Sequence, residues 1–239
     1  MENQLADSRK RQAAAAALEE IENGMRVGLG TGSTAWHLVD LLGAKVAKGF
    51  ECLCVPTSEA TGQQARALDI PLTTLNETPE LDLTIDGADE IDLRLRLIKG
   101  GGGAHLREKI VAAASKRMVV IADESKKVDV LGRFPLPLEV DRFGHRATAR
   151  HLETVLADFG AQGDLVVRGG IQTPFVTDGG HLIYDASFGR ISDPEGLAEA
   201  LSAVPGLVEH GLFVRLCKAA YIAGENGVEV LAAPTPEMK

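Results

Sequence analysis

The sequence is short of cysteine, of aromatic residues and of long apolar runs, and these shortages exclude several classes of protein. Its three cysteines, Cys52, Cys54 and Cys217, are too few to build a disulfide framework. No apolar run approaches the roughly 20 residues that a helix needs to span a bilayer. The alanines at residues 13–17 are followed at once by glutamates, which is typical of an amphipathic helix and not of a secretory signal. We therefore expect a cytoplasmic protein with no membrane partner.

Basic residues are also in the minority. The chain has 25 lysines and arginines against 34 aspartates and glutamates, which gives a formal net charge of −9. Such a charge argues against a nucleic-acid backbone or an anionic membrane surface as the main partner. An anionic small molecule would need positive groups concentrated around its site.

The order of apolar and helical patterns along the chain predicts an α/β fold. Over residues 1–130, apolar strand patterns alternate with helical patterns, which indicates a Rossmann-like, mostly parallel sheet with helices on both faces. Ser8 is expected to cap the first helix, and Ser58 the helix after the second strand. Ligands of such sheets bind at the carboxyl ends of the strands. That edge should hold the polar loops after Gly30, Ile85, Ile98 and Ala122.

The pattern changes near Leu131. Residues 131–207 combine helices with antiparallel strand patterns and predict a smaller α+β domain of the ferredoxin-like kind. Within it, residues 175–177 and 182–185 are expected to pair as a hairpin. Residues 208–239 then return to complete the first domain, residues 1–130, and residues 234–239 are expected to be disordered.

The glycine-rich segment after Lys99 is the first candidate site. Gly100–Gly103 allows backbone amides to approach a ligand that side chains would hold off. The helix that follows directs its free N–H groups at the same place, which suits an anion. Glu108 lies about a turn and a half into this helix. A cation, bare backbone and a carboxylate therefore meet here, although a flexible turn with surface charges would have the same sequence.

A second candidate lies at a strand-to-helix turn, where Thr31, Gly32, Ser33 and Thr34 follow Gly30. Small hydroxyls, backbone amides and a helix N-terminus together suit a phosphate group. The order of the glycines departs from the dinucleotide fingerprint, and the lysine of a P-loop is missing. The turn therefore predicts a small phosphoryl site, with ordinary turn chemistry as the alternative.

The third candidate is the acidic loop that begins at Asp86 and includes Gly87, Ala88 and Asp89. Two carboxylates after an apolar strand suit acid–base work or the binding of sugar hydroxyls. Metal ligation is less favoured because no histidine or cysteine is near and a hard ion wants more oxygens. A solvated acidic loop is the alternative. Lys126 offers a further cation after the strand that ends at Ala122.

With these motifs in view, the sequence resembles the ribose-5-phosphate isomerases of the A type. The matching blocks are GLGTGST at 28–34, DGADEID at 86–92, KGGGGAHLREK at 99–109 and IADESKKVDVLGRFPLPLEV at 121–140. The resemblance implies interconversion of ribose 5-phosphate and ribulose 5-phosphate in the non-oxidative pentose phosphate pathway. It also implies that no metal or organic cofactor is used and that the chain forms a homodimer.

Carried over by position, the resemblance implies a role for each site residue. Glu108 matches the proton-transferring glutamate, and ring opening is assigned as a hypothesis to Asp86, helped by Lys99 or Asp89. Lys126 matches a substrate-contacting lysine, and Lys10 matches one that reaches the phosphate. The remaining substrate contacts are expected from Thr31, Gly32, Ser33, Thr34, Gly87, Ala88, Gly100, Gly101 and Gly102.

Two other functions stay open from the sequence. One is another sugar-phosphate isomerase or deaminase on a similar scaffold, such as an amino-sugar phosphate deaminase. It would release ammonia, or would isomerise a hexose phosphate in preference to a pentose phosphate. A sugar-phosphate-sensing regulatory domain would carry a helix-turn-helix, for which the segment before Arg26 has room for only one helix and no basic cluster.

Overall fold

The computed structural model describes residues 2–232, with side chains described from residue 4. The expected disorder of residues 234–239 therefore lies outside the described residues. The first half of the chain forms α1 (Glu2–Leu18), β1 (Arg26–Leu29), α2 (Ser33–Val46), β2 (Leu53–Pro56), α3 (Glu59–Ala67), β3 (Leu83–Asp86), β4 (Glu90–Ile91), β5 (Leu97–Ile98) and α4 (His105–Ala113). The second half forms β6 (Met118–Asp123), a 3-10 turn (Glu124–Lys126), β7 (Leu136–Val140), α5 (His145–Asp158), β8 (Leu165–Val167), β9 (Leu182–Ala186), α6 (Pro194–Ser202), β10 (Leu207–His210), β11 (Leu212–Phe213), β12 (Cys217–Gly224) and β13 (Gly227–Ala232).

The main sheet has six strands in the order β13-β12-β6-β3-β1-β2. All neighbouring pairs are parallel except β12 and β13, which pair antiparallel at one edge. Successive residues of β6 serve opposite faces: Val119 and Ile121 pack with α1 and α2, whereas Met118 and Val120 pack with Ala112 of α4. The predicted mostly parallel sheet with helices on both faces is therefore confirmed.

The two predicted helix caps have different outcomes. Ser58 caps α3, since its side chain accepts a hydrogen bond from the Thr61 amide. The prediction for Ser8 is wrong, because α1 begins at Glu2 and Ser8 lies inside it. The residues before Ser8 are mostly good helix formers, and they extend the helix past the cap signal.

The second sheet is antiparallel, in the order β10-β7-β9-β8, and shares a core with α5 and α6. Residues 207–210 belong to this sheet and pair with β7, although residues 208–210 were expected to complete the main sheet. The predicted hairpin is confirmed only at its turn, where Val176 bridges antiparallel to Leu182 and the Thr177 amide donates to the His181 carbonyl; residues 175–177 form no strand. A longer strand at residues 175–177 has no free side of β9 to pair with, because β7 and β8 flank it. The division of the chain into two domains stays a prediction.

A third sheet of three short strands, β11-β5-β4, leads into Lys99 and the glycine run. Ile98 ends β5, which pairs antiparallel with both neighbours. We expected the loop after Ile98 to follow a strand of the parallel sheet. It follows a strand of this separate sheet instead, and still reaches the carboxyl end of β3. The Lys99 amide donates to the carbonyl of Gly211, which fixes the start of the run. None of the described helices is long and apolar enough to cross a membrane.

Candidate active site

Three charged side chains meet at the carboxyl end of β3. Asp86 is the last residue of that strand, Lys99 follows β5, and Glu108 lies in the first turn of α4. Lys99 Nζ is 3.1 Å from Asp86 Oδ2 and 3.3 Å from Glu108 Oε2, and all three side chains are buried. The lysine also donates to the carbonyl of Gly87. One ammonium group therefore lies between two carboxyl groups in a site largely shielded from water.

The Asp86 carboxylate is held in place by the backbone around it. Its Oδ1 accepts hydrogen bonds from the amides of Gly87 at 2.7 Å and Thr31 at 3.1 Å. A Cβ on Gly30 would collide with the same carboxylate, so only glycine fits there. The second and third candidate sites, the Thr31 turn and the Asp86 loop, are thereby joined directly.

The charges perturb one another in a way that suits acid–base chemistry. Burial raises the pKa of Glu108 to about 8; the charge of Asp86 adds to this rise and Lys99 opposes it. Burial also raises the pKa of Asp86, with Lys99 again opposing. Burial acts to lower the pKa of Lys99, but the surrounding carboxylates outweigh it and raise that pKa above its usual value. Lys99 therefore stays charged while Glu108 exchanges its proton near neutral pH.

The glycine run lies against this triad. Gly100 has a φ of +111°, and a Cβ there would lie 2.7 Å from His105 Nδ1, so both backbone and space require glycine. The Gly101 amide donates to Asp89 Oδ2 at 2.7 Å. Asp89 therefore contacts the glycine run, whereas Asp86 contacts Lys99. The Gly102 amide has no hydrogen-bond partner within residues 2–232.

The phosphate-type loop lies at the N-terminus of α2. Gly32 is the N-cap residue, with a φ of +107° and no side chain to bond the free amides of the first turn. Lys10 Nζ donates to Ser33 Oγ at 2.9 Å, so α1 brings its lysine to this loop. The hydroxyl of Thr31 points elsewhere, into a cluster with Thr57, Ser58 and Thr61.

These segments enclose one cleft of about 90 Å³. Three predicted residues do not line it: Asp86 is fully buried, Gly101 donates its amide to Asp89, and Lys10 contacts Ser33. At the α2 end, Lys10 and the helix N-terminus supply the positive groups that an anion would need. The residues that line the cleft are Thr31, Gly32, Ser33, Thr34, Gly87, Ala88, Asp89, Lys99, Gly100, Gly102, Glu108 and Lys126.

Two sets of residues around the cleft were not predicted as parts of the site. The hydroxyl cluster of Thr57, Ser58 and Thr61 supports the Thr31 turn from α3 and the strand before it. Arg168 of the second sheet donates to the carbonyl of Gly100 at 2.7 Å. Both contacts span long sequence separations, so no local pattern links these residues to the cleft. Among the described residues, no cluster of three or more His, Cys, Asp or Glu side chains is placed to hold a metal ion.

The fold and the cleft define a class of protein: an α/β enzyme with carboxylate acid–base groups beside a loop that suits a phosphate. Comparisons with known proteins narrow this class. The family model for ribose 5-phosphate isomerase A (phosphoriboisomerase A) matches residues 53–227. The ribose-5-phosphate isomerase A of Sinorhizobium medicae is 60% identical over 224 residues, which cover 94% of this chain and 97% of that protein.

Solved structures agree. The ribose 5-phosphate isomerase A of Neisseria gonorrhoeae superposes with a TM-score of 0.86 at 37% identity, covering 96% of this chain and 98% of that one. A D-ribose-5-phosphate isomerase in complex with phospho-erythronic acid gives a TM-score of 0.88 at 36% identity, covering 95% and 99%. The chain belongs to the ribose 5-phosphate isomerase A family. It is an aldose–ketose isomerase that interconverts D-ribose 5-phosphate and D-ribulose 5-phosphate.

Proposed function

We propose that Glu108 carries the proton in this isomerisation. In the open-chain sugar, the carboxylate takes the proton from C2, and an enediolate forms across C1 and C2. The same group then returns the proton to C1 while the hydroxyl proton of O2 passes to O1, which leaves the ketose. The observation that carries this proposal is the position of Glu108, buried at the base of the cleft and 3.3 Å from Lys99. Its pKa, raised to about 8 by burial, suits a group that must both accept and donate a proton.

Lys99 and the Gly102 amide are proposed to hold the charge that develops on the substrate oxygen. Lys99 stays protonated because neighbouring carboxylates raise its pKa. The Gly102 amide lines the cleft and has no other acceptor among the described residues. In enzymes with this kind of stabilisation, one donor is worth about 2.7–4 kcal/mol of the barrier.

Asp86 is proposed to open the furanose ring, which must precede proton transfer because ribose 5-phosphate is mostly cyclic. Burial raises the pKa of Asp86, which suits a carboxylate that takes the proton of the O1 hydroxyl and passes it to the ring oxygen. Lys99 lies 3.1 Å away and would stabilise the charge left after the proton moves. Asp89 is assigned a supporting part, since it fixes the Gly101 amide.

The phosphate is proposed to bind at the opposite end of the cleft, on the free amides at the start of α2. Ser33 and Thr34 lie in that first turn. Lys10 reaches Ser33, and Lys126 lines the cleft from the 3-10 turn. This arrangement separates the phosphate from the reacting carbons and leaves C1 and C2 facing Glu108.

Solvent exchange tests the role of Glu108. With ribose 5-phosphate in deuterated water and a chelator present, wild type should place deuterium at the transferred position, whereas Glu108→Gln should give neither exchange nor turnover. Trp36, the single tryptophan, is half-exposed in the first turn of α2, so its fluorescence should still report substrate binding by the variant. Glu199→Gln, an exposed change on α6, is the matched control. Substantial exchange by Glu108→Gln would exclude Glu108 as the base.

An acyclic substrate tests the role of Asp86. The 4-deoxy analogue of ribose 5-phosphate lacks the hydroxyl that closes the furanose. Asp86→Asn should therefore lose most turnover of ribose 5-phosphate and keep most turnover of this analogue. Equal losses on the two substrates would remove Asp86 from the ring-opening step.

We also propose that the enzyme is a cytoplasmic homodimer. The resemblance to the family supports the dimer. The three cysteines are buried free thiols, which suits a reducing compartment. Sedimentation equilibrium should give twice the 25.3 kDa of one chain, and a monomer at micromolar concentration would contradict the proposal.

A further inference from the structure

Arg168 links the second sheet to the glycine run. It follows β8, and its guanidinium pairs with Asp185 of β9 through two contacts, Nε–Oδ2 at 2.9 Å and Nη2–Oδ1 at 2.5 Å. The remaining terminal nitrogen, Nη1, donates to the carbonyl of Gly100 at 2.7 Å and to that of Gly101 at 3.2 Å. The guanidinium also lies over the ring of Phe175, 5.9 Å from its centroid. The side chain is mostly buried, at 18% exposure.

Fixing these two carbonyls also fixes two amides. A trans peptide unit is planar, and its N–H points opposite to its C=O. With the Gly100 carbonyl held by Arg168, the Gly101 N–H points to Asp89, to which it donates at 2.7 Å. With the Gly101 carbonyl held, the Gly102 N–H points away from Arg168. Gly102 lines the cleft, so this direction suits an acceptor bound there.

Glycine makes such an anchor necessary. A run of four glycines has no side chains to restrict its peptide units, so each unit rotates at little steric cost. A charged donor on a carbonyl makes a stronger hydrogen bond than a neutral one and polarises the peptide unit, which strengthens its N–H as a donor.

We infer that Arg168 is a positioning residue for the isomerisation: from the second sheet, it orients the Gly101 and Gly102 peptide units so that their amides face Asp89 and the substrate. The inference rests on the proposed function, in which the Gly102 amide holds the enediolate oxygen. It also gives the second sheet a part in catalysis, although every residue assigned to the chemistry lies outside that sheet.

The planar fork of arginine is required for this arrangement. One edge of the guanidinium is occupied by both oxygens of Asp185, and the third nitrogen serves the glycine carbonyls. Lysine has a single nitrogen and cannot hold the carboxylate at two points while reaching both carbonyls. Arg168→Lys should therefore restore only part of what Arg168→Met loses.

Kinetics with three ligands tests the inference. Arg168→Met should lower kcat for ribose 5-phosphate about 10- to 100-fold and change KM less than about 3-fold, because a transition-state interaction is weakened and the phosphate loop is untouched. Inhibition by phosphoerythronate, whose carboxylate stands in for the enediolate charge, should weaken by a similar factor. Inhibition by inorganic phosphate should be unchanged. Arg190→Met, the same change at an exposed arginine near the second sheet, should alter none of these.

Two further variants separate the possible failures. Asp185→Asn leaves the Arg168 charge in place and loosens its hold, so it should lower kcat by an intermediate factor. Gly102→Pro removes the amide proton itself and should weaken phosphoerythronate inhibition whatever Arg168 does. If Gly102→Pro weakens it and Arg168→Met does not, the inference about Arg168 is wrong and the role of the amide stands. If neither variant weakens it, the proposed role of the amide fails as well.

The same experiments distinguish a positioning role for Arg168 from a purely structural one. Thermal unfolding should show that Arg168→Met and Asp185→Asn remain folded at the assay temperature. If both variants lose phosphate inhibition and raise KM in step with the fall in kcat, Arg168 only supports the fold and the inference is overturned.

Discussion

Replacing Glu108 by glutamine should make the protein more stable at alkaline pH. Burial raises the pKa of this carboxyl from about 4.5 to about 8, so the folded chain keeps a proton that the unfolded chain has lost. The folded state is therefore favoured below the unfolded pKa, and this stabilisation is lost as the pH rises through about 8. Glutamine has the shape of the protonated form and never ionises, so the variant escapes the loss.

The size of the effect follows from the shift. Each unit of pKa difference corresponds to about 1.4 kcal/mol, and between about pH 5.5 and about pH 8.5 the accumulated change is about 3 kcal/mol. Between these two pH values, we expect the unfolding free energy of Glu108→Gln to rise by about 3 kcal/mol relative to that of wild type. The charge balance supports the sign, because Lys99 keeps Asp86 as a partner at 3.1 Å in the variant.

Urea unfolding at the two pH values, at constant ionic strength, measures this directly. Glu199→Gln, on the surface of α6, should shift the unfolding free energy by no more than about 0.5 kcal/mol at either pH. A stability difference between Glu108→Gln and wild type that is the same at both pH values would refute the reasoning. It would mean that Glu108 titrates in the folded protein as it does in the unfolded chain.

Three further outcomes follow from the site. Lys126→Ala should raise KM for ribose 5-phosphate about 10-fold with kcat little changed, because Lys126 lines the cleft at the proposed phosphate end; an unchanged KM would remove it from that end. Ser58→Ala should lower the unfolding free energy by about 1 kcal/mol in urea titrations, because the cap on Thr61 is lost; no loss would mean that water replaces the cap fully. With the 4-deoxy substrate, kcat/KM should fall as the pH drops below about 8, where Glu108 becomes protonated. Asp86→Asn should move this fall to lower pH, because the Asp86 charge helps to raise the pKa of Glu108. A shift to higher pH would contradict this.

The central residues of the site could be predicted because each follows from a local rule. Asp86 ends a buried strand of a parallel sheet, where ligands collect. Glu108 opens a helix after a glycine run, and Lys99 precedes that run. The sequence therefore predicts that the three lie at one edge, and the structure places Lys99 Nζ within 3.3 Å of a carboxyl oxygen of both Asp86 and Glu108.

Other features could not be predicted, because they depend on pairing between distant segments. The strands β4, β5 and β11 have two residues each, too few for any periodicity to show. The Phe175–Thr177 segment has the composition of a strand, but β9 already has a partner on each side. In the sequence, nothing distinguishes Arg168 from other charged residues at the ends of strands. Only the structure shows that it contacts Gly100 and Gly101.

The antiparallel seam between β5 and β11 has a consequence for the enzyme during its synthesis. The Lys99 amide donates to the Gly211 carbonyl, and Lys99 Nζ lies 5.5 Å from the ring centroid of Phe213, so its surroundings come from residues that the ribosome adds long after Lys99 itself. The first half of a nascent chain already contains Asp86, Lys99 and Glu108, yet it lacks the strand against which the lysine is set. A newly made chain should thus stay inactive until β11 has emerged and paired with β5.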